Sequence, residues 1–176
     1  RTPGETHGHD GLFPGMGLAM VLPQISVGLM TGLVETLSAE PYRGRADLPP
    51  LAAALQMEAG DLLPIAETLQ LLRFLDLAEG DVALTPAGQR FATLDVEQQK
   101  SLFADHLISY VPLAAHIRRV LEERPDHGAP FSRFREELED YMTTGYAEST
   151  LQAVLGWARY AEAFTYDAEA SRFHLA

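Results

Sequence analysis

The histidines are the first residues in this sequence that could bind a metal ion or transfer a proton. There are six: His7, His9, His106, His116, His127 and His174. His7 and His9 flank one glycine and precede Asp10; this spacing could hold a metal, but in a chain terminus such a motif is more often adventitious. On a helix with ~3.6 residues per turn, His106 and His116 would lie about 80° out of alignment. We therefore predict helix-surface or core-edge histidines and no metal site.

The sequence lacks the usual motifs of nucleophilic catalysis and of phosphate-binding loops. Lys100-Ser101 would complete a Walker A loop only with glycines at positions now held by Leu94 and Gln99. The Gly-x-Ser-x-Gly and His-Glu-x-x-His motifs are absent, and without cysteine there is no thiol nucleophile, disulfide or Cys-ligated zinc. The acidic run at 135–140 is interpreted as a solvated helical face, with loose binding of a divalent cation as the alternative. The sequence predicts no catalytic residues and no cofactor.

The charge balance restricts the partners. The 176 residues carry 13 Lys+Arg against 25 Asp+Glu, a formal net charge of -12. Such a surface repels phosphate backbones and anionic lipid heads, so binding to nucleic acid or to a membrane surface is disfavoured. The apolar segment 12–22 is interrupted by Pro14, Gly15 and Gly17 and is shorter than the ~20 residues of a spanning helix. The lack of cysteine agrees with a cytoplasmic protein, which is the expectation.

The elements that must position these residues follow from apolar spacing. Residues 1–23 are predicted to be a linker whose apolar end lies against the folded body, and 24–95 a winged-helix unit. The pattern predicts a helix from Ile25 to before Pro41, a turn at 42–45, and a short helix capped by Asp47. A third helix, capped by Gly60-Asp61, has a core stripe: Leu62, Ile65, Leu69, Leu72 and Leu75. A β-hairpin over 75–84 and a helix capped by Thr85 complete the unit.

Residues 96–176 are predicted to form a second, winged-helix-like unit. Helices are expected over 96–109, 112–123 and 131–141, the last with four inward side chains: Phe131, Phe134, Leu138 and Tyr141. A break at 143–145 precedes a long helix beginning at Glu148 or Ser149, and a hairpin over 164–175 ends the chain. Its predicted core stripe comprises Leu151, Val154, Leu155, Ala158 and Ala161. The predicted fold class is mainly α with small β-hairpins, arranged as tandem winged-helix-like units.

A winged helix favours a DNA-binding transcriptional regulator as the alternative function. Such domains read bases from the third helix and grip phosphate with basic wing residues. Here the third helix offers Glu67, Thr68, Gln70 and Arg73. The predicted wing has three acidic residues and no basic one: Asp76, Glu79 and Asp81. The charge pattern therefore argues against DNA.

Seven segments together resemble a known family. They are LPQISVG (22–28), ADLP (46–49), DLLPIAE (61–67), LTPAG (84–88), VPLAAHIRRVL (111–121), EELED (136–140) and WARYAE (157–162). In order and spacing they resemble the AAA-associated C-terminal domain found in ATP-binding subunits of nitrate/sulfonate/taurine-type ABC importers. The resemblance implies a fragment downstream of an ATPase domain, which agrees with a chain that opens at Arg1 rather than Met. It implies no catalytic or binding residues.

The resemblance implies a non-enzymatic regulatory domain of such a subunit, peripheral to the inner membrane through the transporter. Its expected partners are its own ABC ATPase domain and the transporter subunits. The predicted interaction surface comprises Arg43, Arg45, Glu79, Asp81, Arg118 and Arg119. Two alternatives remain open: a homodimer, in which segment 12–22 crosses to a neighbour, and a small anion bound by either arginine pair.

Overall fold

A computed structural model describes residues 13–175 of the chain. Within that range there are eight α-helices and two three-stranded antiparallel sheets, which confirms the predicted fold class of mainly α with small β-hairpins. The described residues form two compact units. Residues 25–102 form the first unit, and residues 13–24 together with 103–175 form the second unit. The predicted limits after residues 23 and 95 stay predictions.

The first unit combines helices with one small sheet. Its elements are α1 (Val27–Ser38), β1 (Arg45–Asp47), α2 (Leu48–Ala54), α3 (Ala59–Leu71), β2 (Leu75–Ala78), β3 (Asp81–Leu84) and α4 (Pro86–Thr93). The strand order is β1-β3-β2. The predicted stripe is buried, although Leu75 lies on β2 rather than on the helix. Helix α5 (Val96–Tyr110) has residues in both units.

Two details of the first unit correct the sequence prediction. The cap of α3 is Glu58 rather than Gly60-Asp61, because Glu58 has the last extended backbone before the helix. Asp61 lies in the first turn, where its negative charge interacts favourably with the helix dipole and stabilises the helix. Strand β1, which was not predicted, forms because residues 45–47 pair with β3. The winged-helix interpretation of this element order stays a prediction.

The second unit has the same kind of layout. It contains α6 (Pro112–Glu123), β4 (Gly128–Pro130), α7 (Phe131–Glu139), α8 (Thr144–Ala161), β5 (Thr165–Asp167) and β6 (Arg172–His174). Its strand order is β4-β6-β5. The predicted α8 stripe is buried, and Trp157 lies in the same core. The terminal hairpin is confirmed by the pairing of β5 with β6.

Two predictions in the second unit were wrong. Helix α8 begins at Thr144 rather than at Glu148 or Ser149, because the Thr143 hydroxyl accepts a hydrogen bond from Tyr146 N and caps it. Tyr141 is 71% exposed instead of inward, since α7 ends at Glu139 and the chain has left the helical phase.

Residues 13–24, here called the strap, pack on the rest of the second unit. They include a short 3-10 helix (Gly17–Ala19), and Phe13, Met20 and Leu22 are buried. Leu22 N donates to Thr150 Oγ1 at 3.2 Å, and Gln24 Nε2 donates to Ser149 Oγ at 3.1 Å. The rest of the predicted linker and the His7/His9 motif lie outside the described residues.

The strap hydrogen bond gives a testable prediction. Thr150 is fully buried, so Thr150→Val leaves the Leu22 N–H without its acceptor and is expected to cost about 1–3 kcal/mol. The measurement is hydrogen exchange of the Leu22 amide together with urea unfolding. Thr150→Ser keeps the hydroxyl and should retain most of the protection. Unchanged Leu22 exchange in Thr150→Val would contradict the prediction.

Candidate functional site

The four predicted surface residues of the first unit lie around its small sheet. Arg45 on β1 and Asp81 on β3 come together, with Arg45 Nη2 3.6 Å from Asp81 Oδ2. Arg43 precedes β1 and pairs with Glu40 instead. Glu79 lies in the β2–β3 turn with a left-handed φ of 55°. The structure thus pairs Arg45 with Asp81, whereas Arg43 and Glu79 are not part of this ion pair.

Asp47, predicted as a helix cap, faces Asp81 directly across the β1–β3 register. A hydrogen bond to the Asp81 carboxylate, followed by the negative charge of that carboxylate, raises the pKa of Asp47. Arg45 opposes the shift. The Asp47 side chain makes no capping hydrogen bond to α2. This sheet therefore carries two neighbouring carboxylates that repel each other when both are ionised.

This carboxyl pair predicts a pH-dependent stability. Because the folded state raises the pKa of Asp47, the pair stabilises the fold when protonated, and that stability is lost as the pH rises through the folded pKa. Asp47→Asn should therefore raise the urea midpoint near pH ~7, and the gain should shrink below the ordinary aspartate pKa of about 3.9. Added salt should also reduce it.

The matched control is Asp76→Asn in the same sheet, since Asp76 faces Ala83 rather than a carboxylate. It should show neither the gain nor its pH dependence. A gain for Asp47→Asn that is independent of both pH and salt would refute the repulsion.

The two predicted arginines of the second unit lie on α6. Arg118 Nε is 3.2 Å from Glu122 Oε2, one helical turn away. Arg119 is exposed and has no ion pair among the described residues. Both line a groove of about 580 Å³ between α5 and α6, here called the α5/α6 groove. Other residues of its lining are Asp105, Ile108, Ala115 and Glu122. The groove therefore has charges of both signs.

A second concavity, here called the α6/α7 pocket, has a volume of about 200 Å³. Its walls are mainly apolar, and its polar lining contains His116, Glu137, Asp140 and Tyr141. His116 Nε2 lies 3.0 Å from Glu137 Oε1, and the imidazole meets the Phe134 ring edge-on at 5.9 Å. Sequence reasoning missed this pair because its members lie on different helices.

Two other histidines make contacts within the fold. His127 Nδ1 lies 3.1 Å from Leu121 O, and His106 packs edge-on against Tyr110. Within residues 13–175, no group of three or more His, Cys, Asp or Glu side chains is arranged to hold a metal.

On α3, Thr68 is fully buried and donates to Pro64 O at 2.8 Å, while burial raises the pKa of Glu67. Thr68 is therefore not presented to a DNA base.

A comparison with protein families decides the membership of this chain. The model of the C-terminal AAA-associated domain matches residues 49–167, more than half of the sequence. The chain belongs to this family. Among curated proteins and among solved structures, no match was found.

The C-terminal AAA-associated domain is an accessory domain of an ATPase protein. The match confirms the resemblance to this family, whereas the type of transporter stays a prediction. The matched range contains Glu79, Asp81, Arg118, Arg119 and both members of the His116–Glu137 pair, whereas Arg43 and Arg45 precede it. Of the helices that the structure describes in this AAA-associated domain, none has the length and apolarity required to cross a membrane.

Proposed function

We propose that this AAA-associated domain is a non-catalytic regulatory domain of an ABC importer ATP-binding subunit. The importer is of the nitrate, sulfonate, taurine or bicarbonate type, and the domain acts through contacts with its own ATPase domain and the transporter subunits. The family match over residues 49–167 carries the proposal. On this proposal the domain works on the cytoplasmic side, peripheral to the inner membrane.

Tethering provides the physical mechanism. A domain joined to its ATPase by a linker has a high effective concentration beside it, so a weak contact is sufficient. If the domain docks on only one state of the ATPase pair, it shifts the equilibrium between the open and closed states. The α5/α6 groove supports such docking because Arg119 is exposed and, among the described residues, unpaired.

The test compares ATPase and transport rates of the full-length subunit with and without residues 24–176. Arg119→Glu should change the rates in the same direction as the deletion. Arg159→Glu, which reverses another exposed arginine of the second unit, should leave them unchanged. Rates that are identical for the intact and truncated subunits under all substrate conditions would exclude regulation.

The competing DNA-binding function makes the opposite electrostatic prediction. A phosphate backbone near the first-unit sheet would meet Asp47, Asp76, Glu79 and Asp81, and each carboxylate would oppose binding. Retention on duplex oligonucleotides that falls steeply with salt would favour that alternative. Light scattering distinguishes the homodimer from the monomer.

A further inference from the structure

We propose that the α6/α7 pocket binds a small organic cation, an ammonium group attached to a compact apolar body. The inference goes beyond the proposed function and does not depend on it, because binding can be measured on this chain in isolation. It rests on the size of the pocket, its apolar walls, and the pairing of its charged groups.

The pocket is large enough for a compact ligand. Its volume of about 200 Å³ corresponds to the liquid volume of about seven water molecules. Leu113, Phe134 and Leu138 form buried walls, and Leu18 of the strap contributes from another part of the chain. Contact with these side chains would remove the apolar part of a ligand from water, which favours binding.

The hydrogen bonds and ion pairs around the pocket leave one carboxylate available. Glu137 is already engaged at both oxygens, since Oε1 lies 3.0 Å from His116 Nε2 and Oε2 lies 3.9 Å from Arg133 Nη2. Asp140 is exposed and has no ion pair or side-chain hydrogen bond among the residues from 13 to 175. An ammonium group at the pocket therefore meets an uncompensated negative charge, whereas a carboxylate ligand is repelled.

Two further groups favour a ligand with N–H donors. The other ring nitrogen of His116, Nδ1, has no hydrogen-bond partner within the described part of the chain. In the neutral imidazole, when Nε2–H donates to Glu137, Nδ1 is an acceptor. Tyr141 is 71% exposed and provides an aromatic ring in the pocket lining, where a cation is attracted to the ring face. An exposed ion pair contributes little by itself, so we expect a dissociation constant on the order of 1 mM.

The experiment is a titration of the 176-residue chain with phenethylamine, followed by amide chemical shifts. Saturable shifts are expected at His116, Glu137, Leu138 and Tyr141. The matched probes are 2-phenylethanol, which lacks the charge, and 3-phenylpropionate, which reverses it. The alcohol should bind several-fold more weakly than the amine, and the carboxylate should show no saturable shift.

Variants locate the charge that is responsible. Asp140→Asn should weaken amine binding about fivefold or more and remove the preference for amine over alcohol. Asp105→Asn changes another exposed carboxylate of the same unit, outside this pocket, and should bind the amine like the original chain. Because Asp140 is exposed, its replacement should not disturb folding.

Three results would overturn the inference. The first is amine shifts that do not saturate or that spread over acidic residues away from the pocket. The second is equal affinity for the amine and the carboxylate probe. The third is unchanged amine affinity in Asp140→Asn.

Discussion

Gly88→Ala is expected to unfold the first unit or to destabilise it by more than about 3 kcal/mol. Gly88 is buried in the first turn of α4. A Cβ atom there would lie 2.0 Å from Phe74 O and 3.0 Å from Phe74 C, with Leu84 Cδ2 at 3.2 Å. The closest obstacle is backbone rather than the end of a flexible side chain, so a rotamer change cannot relieve the clash.

Three hydrogen bonds and one ring contact keep α4 from moving away. Thr85 N donates to Phe74 O at 3.2 Å, so the carbonyl that would clash also anchors the start of the helix. Thr85 Oγ1 donates to Arg73 O at 2.7 Å and accepts from Gly88 N at 3.0 Å. The Phe74 and Phe91 rings pack with centroids 5.3 Å apart. Relieving the clash would weaken these contacts together.

The measurement is urea unfolding combined with amide exchange, which reports the first unit separately from the second. Gly32→Ala on α1 is the matched control, because a Cβ at Gly32 meets no atom within 4 Å. That change should stabilise the unit by up to about 1 kcal/mol, since alanine favours a helix over glycine. A Gly88→Ala protein as stable as the original would show that the close approach to Phe74 is not a real constraint.

The elements that the sequence predicted well are those specified by neighbouring residues. Thr85-Pro86 predicts the start of α4, and the Thr85 hydroxyl does accept from Gly88 N. Glu79-Gly80 predicts the hairpin turn, where both residues have a left-handed φ. The Pro112 start of α6 is similarly local. In each case one or two residues favour the observed local backbone conformation.

Strand β1 could not be predicted in this way. Its three residues are too few for their alternation to identify a strand, and they become a strand by pairing with β3. Because the register was unknown, the approach of Asp47 to Asp81 was unknown too. The predicted interaction surface therefore included Asp81 but not Asp47, which the structure places opposite it.

The α6/α7 pocket could not be predicted either, because it also depends on contacts between separate elements. The spacing test applied to His106 and His116 considers one helix only, but the partner of His116 is Glu137 on the next helix. A separation of 21 residues does not predict a contact unless the angle between α6 and α7 is known.

The start of α8 was misplaced for a different reason. Gly145 suggested a break, yet a single glycine is tolerated beyond a good Thr143 cap.

Phe173→Ala is expected to have a comparably large effect in the second unit, a loss of about 3–5 kcal/mol. Phe173 is fully buried on β6, the central strand of its sheet. Four aromatic rings have their centroids within 5.8 Å of its own: Phe131, Phe134, Phe164 and Tyr166. Alanine would remove the one ring that touches all four and leave a cavity that the strands on both sides cannot close.

Urea unfolding with exchange of second-unit amides measures the loss. Tyr146→Ala, an aromatic truncation at a position 59% exposed, should change stability by less than about 0.5 kcal/mol. Phe173→Leu retains most of the volume and should keep the fold with a smaller loss. Because Phe134 both contacts Phe173 and lines the α6/α7 pocket, the leucine variant should also shift the amide signals of the pocket. If Phe173→Ala were as mild as Tyr146→Ala, the aromatic cluster would not be the core that holds the sheet to α7.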